Sequence, residues 1–268
     1  MTPGNPEKKL YFNRHHQQID LVYVPLKVSI AHPPLLKRLI SLVKKCHSIA
    51  DLGCGIGGTL HAFRQANPRA LLSGFDYSDV AITKAKKYIG NHHIKYFDLD
   101  LERQSLPANK FDLVYCSQVI EHFSEPAKFI QNIARSLTPS GYLFLTTVYK
   151  TKNARYLYRN KNHQAVLAPD HINEYTDISD LFNPLKQSGF EILDYHLDLF
   201  RFPLMDLALK PLMKFSKSEF LFRLVNHPLF MEIRHRLSVP IFGFYNFQLL
   251  ARRQPYLFPP LTTTHPSL

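Results

Sequence analysis

The stretch Ser48–Gly58 joins a carboxylate to a run of glycines directly after a short apolar segment. Within it Asp51 comes first, and Gly53, Gly55 and Gly57 follow at every second position. Because glycine has no Cβ atom, this loop can turn tightly and let a flat or charged ligand approach its backbone. A helix that begins at the end of the loop would direct its free N–H groups at the same place. The stretch therefore predicts a strand whose carboxyl end binds a nucleotide.

Two other interpretations of the loop remain open. Gly53, Gly55 and Gly58 also fit the Gly-x-Gly-x-x-Gly fingerprint of dinucleotide binding, with Asp76 eighteen residues further on. A tight strand–helix turn without any ligand would have the same composition. Asp51 argues against the dinucleotide fingerprint, because a carboxylate ahead of the glycines suits a ligand with an ammonium group better than a pyrophosphate.

A second group of residues could carry out proton transfer or bind a metal. Gln118, Glu121 and His122 are spaced i, i+3, i+4, and they would share one face of a helical turn. Together with His171 they could surround a divalent cation, but Gln118 is neutral and hard cations prefer carboxylates, so we expect no metal. Either histidine could instead be the general base that removes a proton from an alcohol or phenol. A purely structural role, with the imidazole held by backbone groups, is the third alternative for each.

The elements that must position these residues alternate between two sequence periods. Short β-type runs are separated by segments with helical spacing. The predicted strands are Ser48–Leu52, Ala70–Asp76, Ile94–Asp98, Phe111–Ser117, Tyr142–Val148, Phe190–Leu199 and Phe244–Arg252. The predicted helices are Pro34–Cys46, Thr59–Ala66, Asp79–Tyr88, Ala127–Leu137 and Ile178–Ser188. This alternation predicts an α/β fold with a doubly wound parallel sheet, in which ligands bind outside the carboxyl ends of the strands.

Taken in order along the chain, the motifs resemble those of the class I S-adenosylmethionine-dependent methyltransferases over about residues 48–189. They are the glycine loop, Gly74–Ser78, Phe111–Tyr115, Glu121-His122 and Leu137–Leu145. The resemblance implies a mostly parallel, seven-stranded Rossmann-like sheet, S-adenosylmethionine as the cofactor, and an Asp76 that binds both ribose hydroxyls. The cofactor-binding residues that it implies are Asp51, Gly53, Gly55, Gly57, Asp76, Tyr77, Asp98, Leu99 and Ser117. The acid near the adenine amino group falls on Asp98 or, two residues later, on Asp100.

The pair Glu121-His122 is also similar to a more specific motif, Glu-x-x-Glu-His. Ubiquinone-pathway O-methyltransferases and small-RNA 2′-O-methyltransferases have this motif, and the latter add a histidine ahead of an aromatic–threonine pair, as His171 is placed here. Gln118 stands where the motif has its first glutamate. The resemblance implies His122 and His171 as catalytic candidates, with Gln118, Glu121, His122 and His171 as the metal-site alternative.

Length and composition bound the organisation of the chain. With 268 residues and 45% hydrophobic composition, it can form one large domain with its own core. We predict a single domain over 1–268, made of a helical cap 1–47, a cofactor-binding core 48–199, a helical insert 200–243, a last strand 244–252 and a tail 253–268. The first residues contain no apolar signal segment, which favours the cytoplasm. Three cysteines without a C-x-x-C pair support neither a disulfide framework nor a zinc cluster.

The charge balance and one long segment bear on partners. A formal net charge of +12 favours an anionic partner, such as RNA, a phosphorylated metabolite or an acidic membrane surface. The segment Arg201–Gly243 is both apolar and basic, and prolines divide it into predicted short helices. Its apolar residues include Leu204, Met205, Leu207, Leu209, Leu212 and Met213, and they lie beside Lys210, Lys214 and Lys217. This segment predicts either a helical lid packed on the core or a peripheral contact with a membrane.

The predicted function is S-adenosylmethionine-dependent methylation, at oxygen, of a small-molecule or lipid- or sugar-linked acceptor. A flipped nucleobase is not expected, because Ser117–Ile120 lacks both the Asp/Asn/Ser-Pro-Pro-aromatic motif and a Pro-Cys nucleophile. An RNA 2′-O-methyltransferase is the first alternative, favoured by the charge and by the two histidines. The second alternative is a non-catalytic scaffold with the same fold, against which the intact glycine loop and Asp76 argue.

Overall fold

The computed structural model of the chain describes residues 6–18, 33–88, 94–154, 158–159, 163, 165–166, 168, 170–209 and 227–255. The helices are α1 (Pro6–Gln18), α2 (Pro33–Lys45), α3 (Gly58–Ala66), α4 (Asp79–Tyr88), α5 (Pro126–Ser136), α6 (Ser179–Gln187) and α7 (Pro228–Arg236), with a 3₁₀ helix at Ile120–His122. The strands are β1 (Ser48–Leu52), β2 (Leu71–Asp76), β3 (Ile94–Asp98), β4 (Phe111–Ser117), β5 (Leu137–Lys150), β6 (Tyr158–Arg159), β7 (Ala165–Val166), β8 (Phe190–Pro203) and β9 (Ser238–Arg253).

Seven of these strands form one sheet, in the order β3-β2-β1-β4-β5-β9-β8. Strands β1 to β5 are parallel, whereas β9 runs antiparallel to both β5 and β8. The predicted α/β fold with a doubly wound, mostly parallel seven-stranded sheet is therefore confirmed. The chain reverses its direction of winding between β1 and β4, so a crevice opens outside the carboxyl ends of these two strands.

Each face of the sheet has its own hydrophobic core. Apolar residues of α2, α3 and α4, among them Leu39, Phe63 and Ile82, pack on one face. On the other face α5 and α6 contribute residues such as Ile133 and Leu185. Because parallel strands are covered on both faces, the central strands are apolar at nearly every position, which is the signal that made them predictable from sequence.

The bounds of the long strands differ from the prediction. β5 begins at Leu137, before the predicted start at Tyr142, because Leu137 pairs with Phe111 ahead of an irregularity in the ladder. Strands β8 and β9 are longer than predicted, and they continue as a hairpin in which Arg201 pairs with Pro240 and Pro203 with Ser238.

The predicted helical insert 200–243 is thus wrong at both of its ends. Residues 201–203 and 238–243 are strand, and helix is found at 206–209 and in α7. Pro203 lies at the end of the edge strand β8, where a missing N–H does not interrupt an inner ladder, so its presence does not require a helix. The lysine-, arginine- and tyrosine-rich segment 149–168, which its sequence predicts to be a loop, also contains strand: Tyr149 and Lys150 belong to β5, and the short strands β6 and β7 pair further on.

Some predicted features fall outside the described residues. Residues 210–226 and 256–268 belong to this category, so the structure does not describe the lysines Lys210, Lys214 and Lys217, the apolar Leu212 and Met213, or most of the predicted tail.

Candidate active site

A cavity of about 420 Å³ lies at the carboxyl edge of the parallel strands. The glycine loop after β1, the end of β2, the segment after β3, the segment after β4, the loop at 168–171 and helix α1 all contribute to its wall. Its lining residues are Lys8, Tyr11, Phe12, His15, His16, Gly53, Gly55, Asp76, Tyr77, Leu99, Asp100, Leu101, Glu102, Gln118, Val119, Glu121, His122, Phe123, Ala168, Asp170 and His171.

The glycine loop holds its shape through conformations that favour glycine. The backbone N–H of Gly53 donates to the Phe75 carbonyl at 2.8 Å, which ties the loop to β2. Gly53 and Gly55 have φ angles of 71° and 51°, in the left-handed region. A Cβ on Gly53 would lie 2.3 Å from the Val119 Cγ2, so glycine is required at this position. The loop thereby presents bare backbone to the cavity.

Asp76 joins this loop to the end of β2. Its Oδ2 accepts a hydrogen bond from the Gly55 N–H and its Oδ1 accepts one from the Ser78 N–H, both at 2.8 Å. Burial raises the pKa of Asp76, although the Ser78 and Gly55 hydrogen bonds and the nearby His16 oppose the shift. The Ser78 hydroxyl accepts a hydrogen bond from the Ala81 N–H at 3.1 Å and thereby caps α4. Each Asp76 oxygen accepts one backbone hydrogen bond, so each keeps a second lone pair for a ligand.

Five of the nine sequence-predicted cofactor residues line the cavity and four do not. Gly53, Gly55, Asp76, Tyr77 and Leu99 line it, whereas Asp51, Gly57, Asp98 and Ser117 lie outside the lining.

Asp51, Gly57 and Ser117 lie outside the lining for three different reasons. Asp51 is buried beneath the loop, where desolvation and then the charge of Asp76 raise its pKa well above the ordinary range. Gly57, with φ 86°, stands at the start of α3. The Ser117 hydroxyl is engaged with the Thr146 hydroxyl at 2.7 Å on the next strand.

Asp98 is exposed and forms an ion pair with Lys9 at 2.8 Å. Asp100, two residues later, lines the cavity instead. The structure thus places the alternative residue, and not Asp98, on the cavity wall. The pairing of Asp98 with Lys9 spans 89 positions of the sequence, and no local pattern would have indicated it.

The expected helical turn through Gln118, Glu121 and His122 is not formed. Gln118 has a φ of 56°, which separates it from the 3₁₀ helix that begins at Ile120. Its amide Nε2 donates to the Asn246 Oδ1 at 3.2 Å and lies 3.3 Å from the Thr146 Oγ1. The prediction that Gln118 shares a helical face with Glu121 and His122 is therefore wrong.

His122 and His171 each have a carboxylate at the Nδ1 atom. The His122 Nδ1 lies 3.2 Å from the Asp170 carbonyl oxygen and 3.3 Å from its Oδ2, and the His171 Nδ1 lies 2.7 Å from the Glu174 Oε1. Since neither a carbonyl nor a carboxylate donates, Nδ1 carries the hydrogen in both rings and Nε2 is the basic atom of the neutral form. The two ring centroids are 5.2 Å apart, so both histidines line the same part of the cavity.

The pKa values of these two histidines shift in opposite directions. Burial lowers the pKa of His122, and the nearby Asp170 only partly offsets this effect. For His171, burial also lowers the pKa, but the Glu174 hydrogen bond and the charges of Glu121, Glu174 and Asp170 outweigh it and raise the pKa. The shifts therefore favour the neutral form of His122, in which Nε2 is the basic atom, and the protonated form of His171.

Glu121 is fully buried behind these rings. The Thr147 hydroxyl donates to its Oε2 at 2.9 Å, while its buried Oε1 has no hydrogen-bond partner among the described residues. Burial raises the pKa of Glu121 to about 7. The backbone carbonyl of Glu121 accepts from the Ile172 and Asn173 N–H groups, both at 2.9 Å, and these bonds hold the 171–173 loop against the 3₁₀ helix.

Glu121, His122 and His171 also meet the geometric condition for a metal site. One potential ligand atom from each lies within 4.8 Å of those from the other two. Two imidazoles and one carboxylate are a donor set that suits Zn²⁺, Mn²⁺ or Fe²⁺ better than Mg²⁺. Gln118, the fourth member of the predicted set, directs its amide nitrogen to Asn246 and Thr146.

Helix α1 supplies part of the cavity that the sequence interpretation did not assign to the site. Lys8 forms an ion pair with Glu102 and donates to the His122 carbonyl, both at 2.7 Å. Phe12 contacts the His122 ring edge to face, with centroids 5.4 Å apart. The spacing of four between Lys8, Phe12 and His16 was the available signal, because it places a cation, an aromatic ring and an imidazole on one helical face.

Comparisons with known proteins agree with this geometry. Residues 31–195 match a family model described as a methyltransferase domain. A ubiquinone biosynthesis O-methyltransferase of Coxiella burnetii is 30% identical over 153 residues, which cover 54% of this chain and 64% of that protein. A mitochondrial protein of the same name from Schizosaccharomyces pombe is 35% identical over 114 residues, covering 41% of this chain and 40% of that protein. The chain thus matches less than two thirds of the length of either relative.

Solved structures show the same fold at lower identity. An S-adenosylmethionine-dependent methyltransferase from Mesorhizobium loti superimposes with a TM-score of 0.55 at 20% identity, covering 84% of this chain and 98% of that chain. A phosphoethanolamine N-methyltransferase of Haemonchus contortus, in complex with phosphomonomethylethanolamine and S-adenosylhomocysteine, superimposes with a TM-score of 0.57 at 14% identity, covering 93% and 59%. With the family match over more than half of its length, the chain belongs to the class I S-adenosylmethionine-dependent methyltransferases.

Proposed function

We propose that the chain transfers a methyl group from S-adenosylmethionine to an oxygen of a small-molecule or lipid- or sugar-linked acceptor. One observation carries this proposal. The glycine loop with Asp76 and the His122–Asp170 pair face the same cavity, so a donor site and a proton acceptor share one enclosed space.

The donor end fits S-adenosylmethionine. Bare backbone at Gly53 and Gly55 leaves room for a ligand that a Cβ atom would exclude, and the carboxylate of Asp76 keeps lone pairs for two ribose hydroxyls. Tyr77 and Leu99 would contact the adenine, and Asp100 would accept from its amino group. Once bound, this cofactor would supply a methyl group whose carbon is open to in-line attack by an oxygen nucleophile, with the sulfur leaving as a neutral thioether.

The acceptor end provides the proton transfer. Asp170 holds the His122 ring with Nδ1–H directed at oxygen, which leaves Nε2 to remove the proton from the acceptor hydroxyl. Glu174 favours the protonated form of His171, which would donate a hydrogen bond from Nε2 to orient the acceptor oxygen. The surrounding apolar groups Phe12, Val119 and Phe123 exclude water and hold the two reactants close.

A metal is the alternative way to activate the hydroxyl. Glu121, His122 and His171 would hold the cation, which would lower the pKa of a coordinated acceptor hydroxyl. Gln118, which stands where the motif has its first glutamate, is neutral and directs its amide nitrogen to Asn246 and Thr146, so the set offers a hard cation only one carboxylate. We therefore keep the metal-free base as the proposed mechanism.

RNA is the second candidate acceptor. The net charge of +12 and the Glu121-His122 pair with His171 favour a ribose 2′-hydroxyl, which needs the same proton transfer as any other alcohol. The sequence has no recognisable RNA-binding module, so a smaller acceptor remains the first proposal.

The test is methylation of fractionated extracts with S-adenosylmethionine carrying a labelled methyl group. Small-molecule, lipid and RNA fractions are assayed separately, with the purified chain and with the His122→Gln variant. We expect label in the small-molecule or lipid fraction, and a rate about 10²–10⁴-fold lower for the variant. Label confined to RNA would select the second candidate. No label in any fraction, despite cofactor binding, would favour the scaffold alternative.

A further inference from the structure

The β8–β9 hairpin extends past the edge of the sheet on which the cavity opens. Lys150, the last residue of β5, pairs with Phe244, so the residues of β9 before Phe244 lie beyond the carboxyl end of β5. We use the name projecting arm for residues 200–209 and 227–243, which include α7. The arm therefore stands on the cavity side of the molecule, and not on the opposite edge.

Polar contacts within the arm are directed inward. Arg234 forms a bidentate ion pair with Asp206, at 2.5 Å and 2.8 Å, and thereby joins α7 to the turn after β8. Arg201 donates to the hydroxyl and the carbonyl of Ser238, at 2.8 Å and 2.6 Å. The Leu204 N–H also donates to the Leu237 carbonyl at 2.9 Å. Together these bonds hold the two halves of the arm in a defined conformation.

Apolar side chains of the arm are directed outward. Half of the large apolar side chains that are exposed in the described part of the chain lie here. Phe242 is 78% exposed and Leu207 is 67% exposed. On α7 the exposed Leu229 and Ile233 are four residues apart, and the exposed Leu237 follows at the same spacing, so they form one stripe. A lid packed on the core would bury such side chains, and this arm does not.

Charge identifies the occupant of this surface. The whole chain has 33 lysine and arginine residues against 21 acidic ones, and the arm itself has three arginines and two acidic residues. A second copy of the chain, also with a net charge of +12, would bring like charges together at this surface. An anionic bilayer offers both a negative surface for a chain of this net charge and an apolar interior for the exposed side chains of the arm. No helix in the described residues is long and apolar enough to cross a membrane, so contact would be limited to one leaflet.

We propose that the projecting arm docks on an anionic lipid surface, with Phe242 and Leu207 entering the boundary between headgroups and acyl chains. Docking would place the mouth of the cavity next to the membrane. The proposal concerns lipid contact only, and it stands or falls independently of the methyl-transfer activity.

The chain contains no tryptophan, which permits a single-fluorophore test. Phe242→Trp puts the reporter on the arm, and Leu71→Trp puts it on an equally open site, 64% exposed, at the amino end of β2 on the opposite edge of the sheet. Each protein is mixed with phosphatidylcholine vesicles that contain or lack phosphatidylglycerol, at low and moderate salt. We expect a blue shift of the emission for the F242W protein with anionic vesicles, and none for the L71W protein.

Co-sedimentation with the same vesicles gives a second readout. Phe242→Ser and Leu207→Ser should each lower partitioning roughly fivefold or more, whereas Leu71→Ser should leave it unchanged. Because all three positions are exposed, equal urea midpoints will verify that the variants are folded.

Three results would overturn the proposal. They are the absence of a blue shift with anionic vesicles, an equal shift for the two tryptophan proteins, and a shift that grows with protein concentration without vesicles. The last result would assign the surface to a second copy of the chain.

Discussion

The surroundings of His122 and His171 shift the pKa values of the two imidazoles in opposite directions. Both rings present Nδ1–H to oxygen. Burial is the largest effect on the pKa of each, but at His171 the Glu174 hydrogen bond and the neighbouring carboxylates together outweigh it. The proposed base is therefore the histidine whose pKa is lowered, because only a neutral imidazole can accept a proton.

A histidine titration followed by nuclear magnetic resonance checks this assignment without an acceptor. With ¹³C-labelled histidine, and with His122→Gln and His171→Gln to assign the signals, we expect His122 to titrate below 6.5 and His171 above it. Glu174→Gln should move the His171 midpoint down and leave His122 nearly unchanged. The opposite order of the two midpoints would reject His122 as the base.

Metal dependence is the second prediction at this scale. A chelator should change the methylation rate by less than about twofold, because a metal-free base needs no cation. Gln118→Glu should not create metal dependence either, since the side chain at 118 is directed to Thr146 and Asn246. Loss of turnover with chelator, restored by Zn²⁺, Mn²⁺ or Mg²⁺, would show that Glu121, His122 and His171 hold a metal.

Sequence could indicate some site residues and not others. The glycines and Asp76 were accessible because each lies next to a strand end within one local motif. The position of the Asp98 side chain depends on Lys9 in a distant helix. The position of Gln118 depends on its own left-handed backbone conformation, which glutamine rarely adopts. Local spacing contains no information on either.

At the scale of elements, the glycine loop depends on two positions that differ in their surroundings. Gly53 is enclosed by Val119, whereas a Cβ on Gly55 would meet only the end of the His16 side chain, at 3.4 Å. Both have positive φ angles, so both substitutions are strained, but only the first also collides with a packed residue.

We therefore expect Gly53→Ala to lower the free energy of unfolding by about 2–4 kcal/mol and Gly55→Ala by about 1–2 kcal/mol. Urea denaturation of the two variants and the unchanged chain measures the difference. If Gly55→Ala proved the more destabilising, the packing of the loop against Val119 would not be the dominant constraint.

Elements with strong local signals were predictable. Strands β1, β3 and β4 begin and end at the predicted residues, since each is an apolar run delimited by polar residues or turns. The extensions of β8 and β9 over 200–203 and 238–243 were not, because Pro203 and Pro240 suggested divided helices where the chain forms an edge strand and its neighbour. Helix α1 has few apolar residues, and its contacts with the cavity come from cations and aromatic rings instead of a hydrophobic stripe.

At the scale of the whole molecule, the parallel strands bring distant segments to one cavity. In the proposed function the β1 and β2 ends would supply the donor side, and the segment after β4 with residues 170–171 would supply the acceptor side. Helix α1 lines the same cavity. The projecting arm extends from the same edge. Donor, acceptor and the proposed membrane contact would thus share one side of the molecule.

We propose that the donor side of this cavity binds S-adenosylmethionine through Asp76, and isothermal titration calorimetry measures that binding. We predict saturable one-to-one binding for the unchanged chain, and at least tenfold weaker binding for Asp76→Ala, because hydrogen bonds to a charged group contribute about 1.5–3 kcal/mol each. Asp98→Ala, which removes an exposed acid outside the cavity, is the matched control and should bind nearly as well as the unchanged chain. No binding by the unchanged chain, or equal affinity of a folded Asp76→Ala variant, would contradict the account.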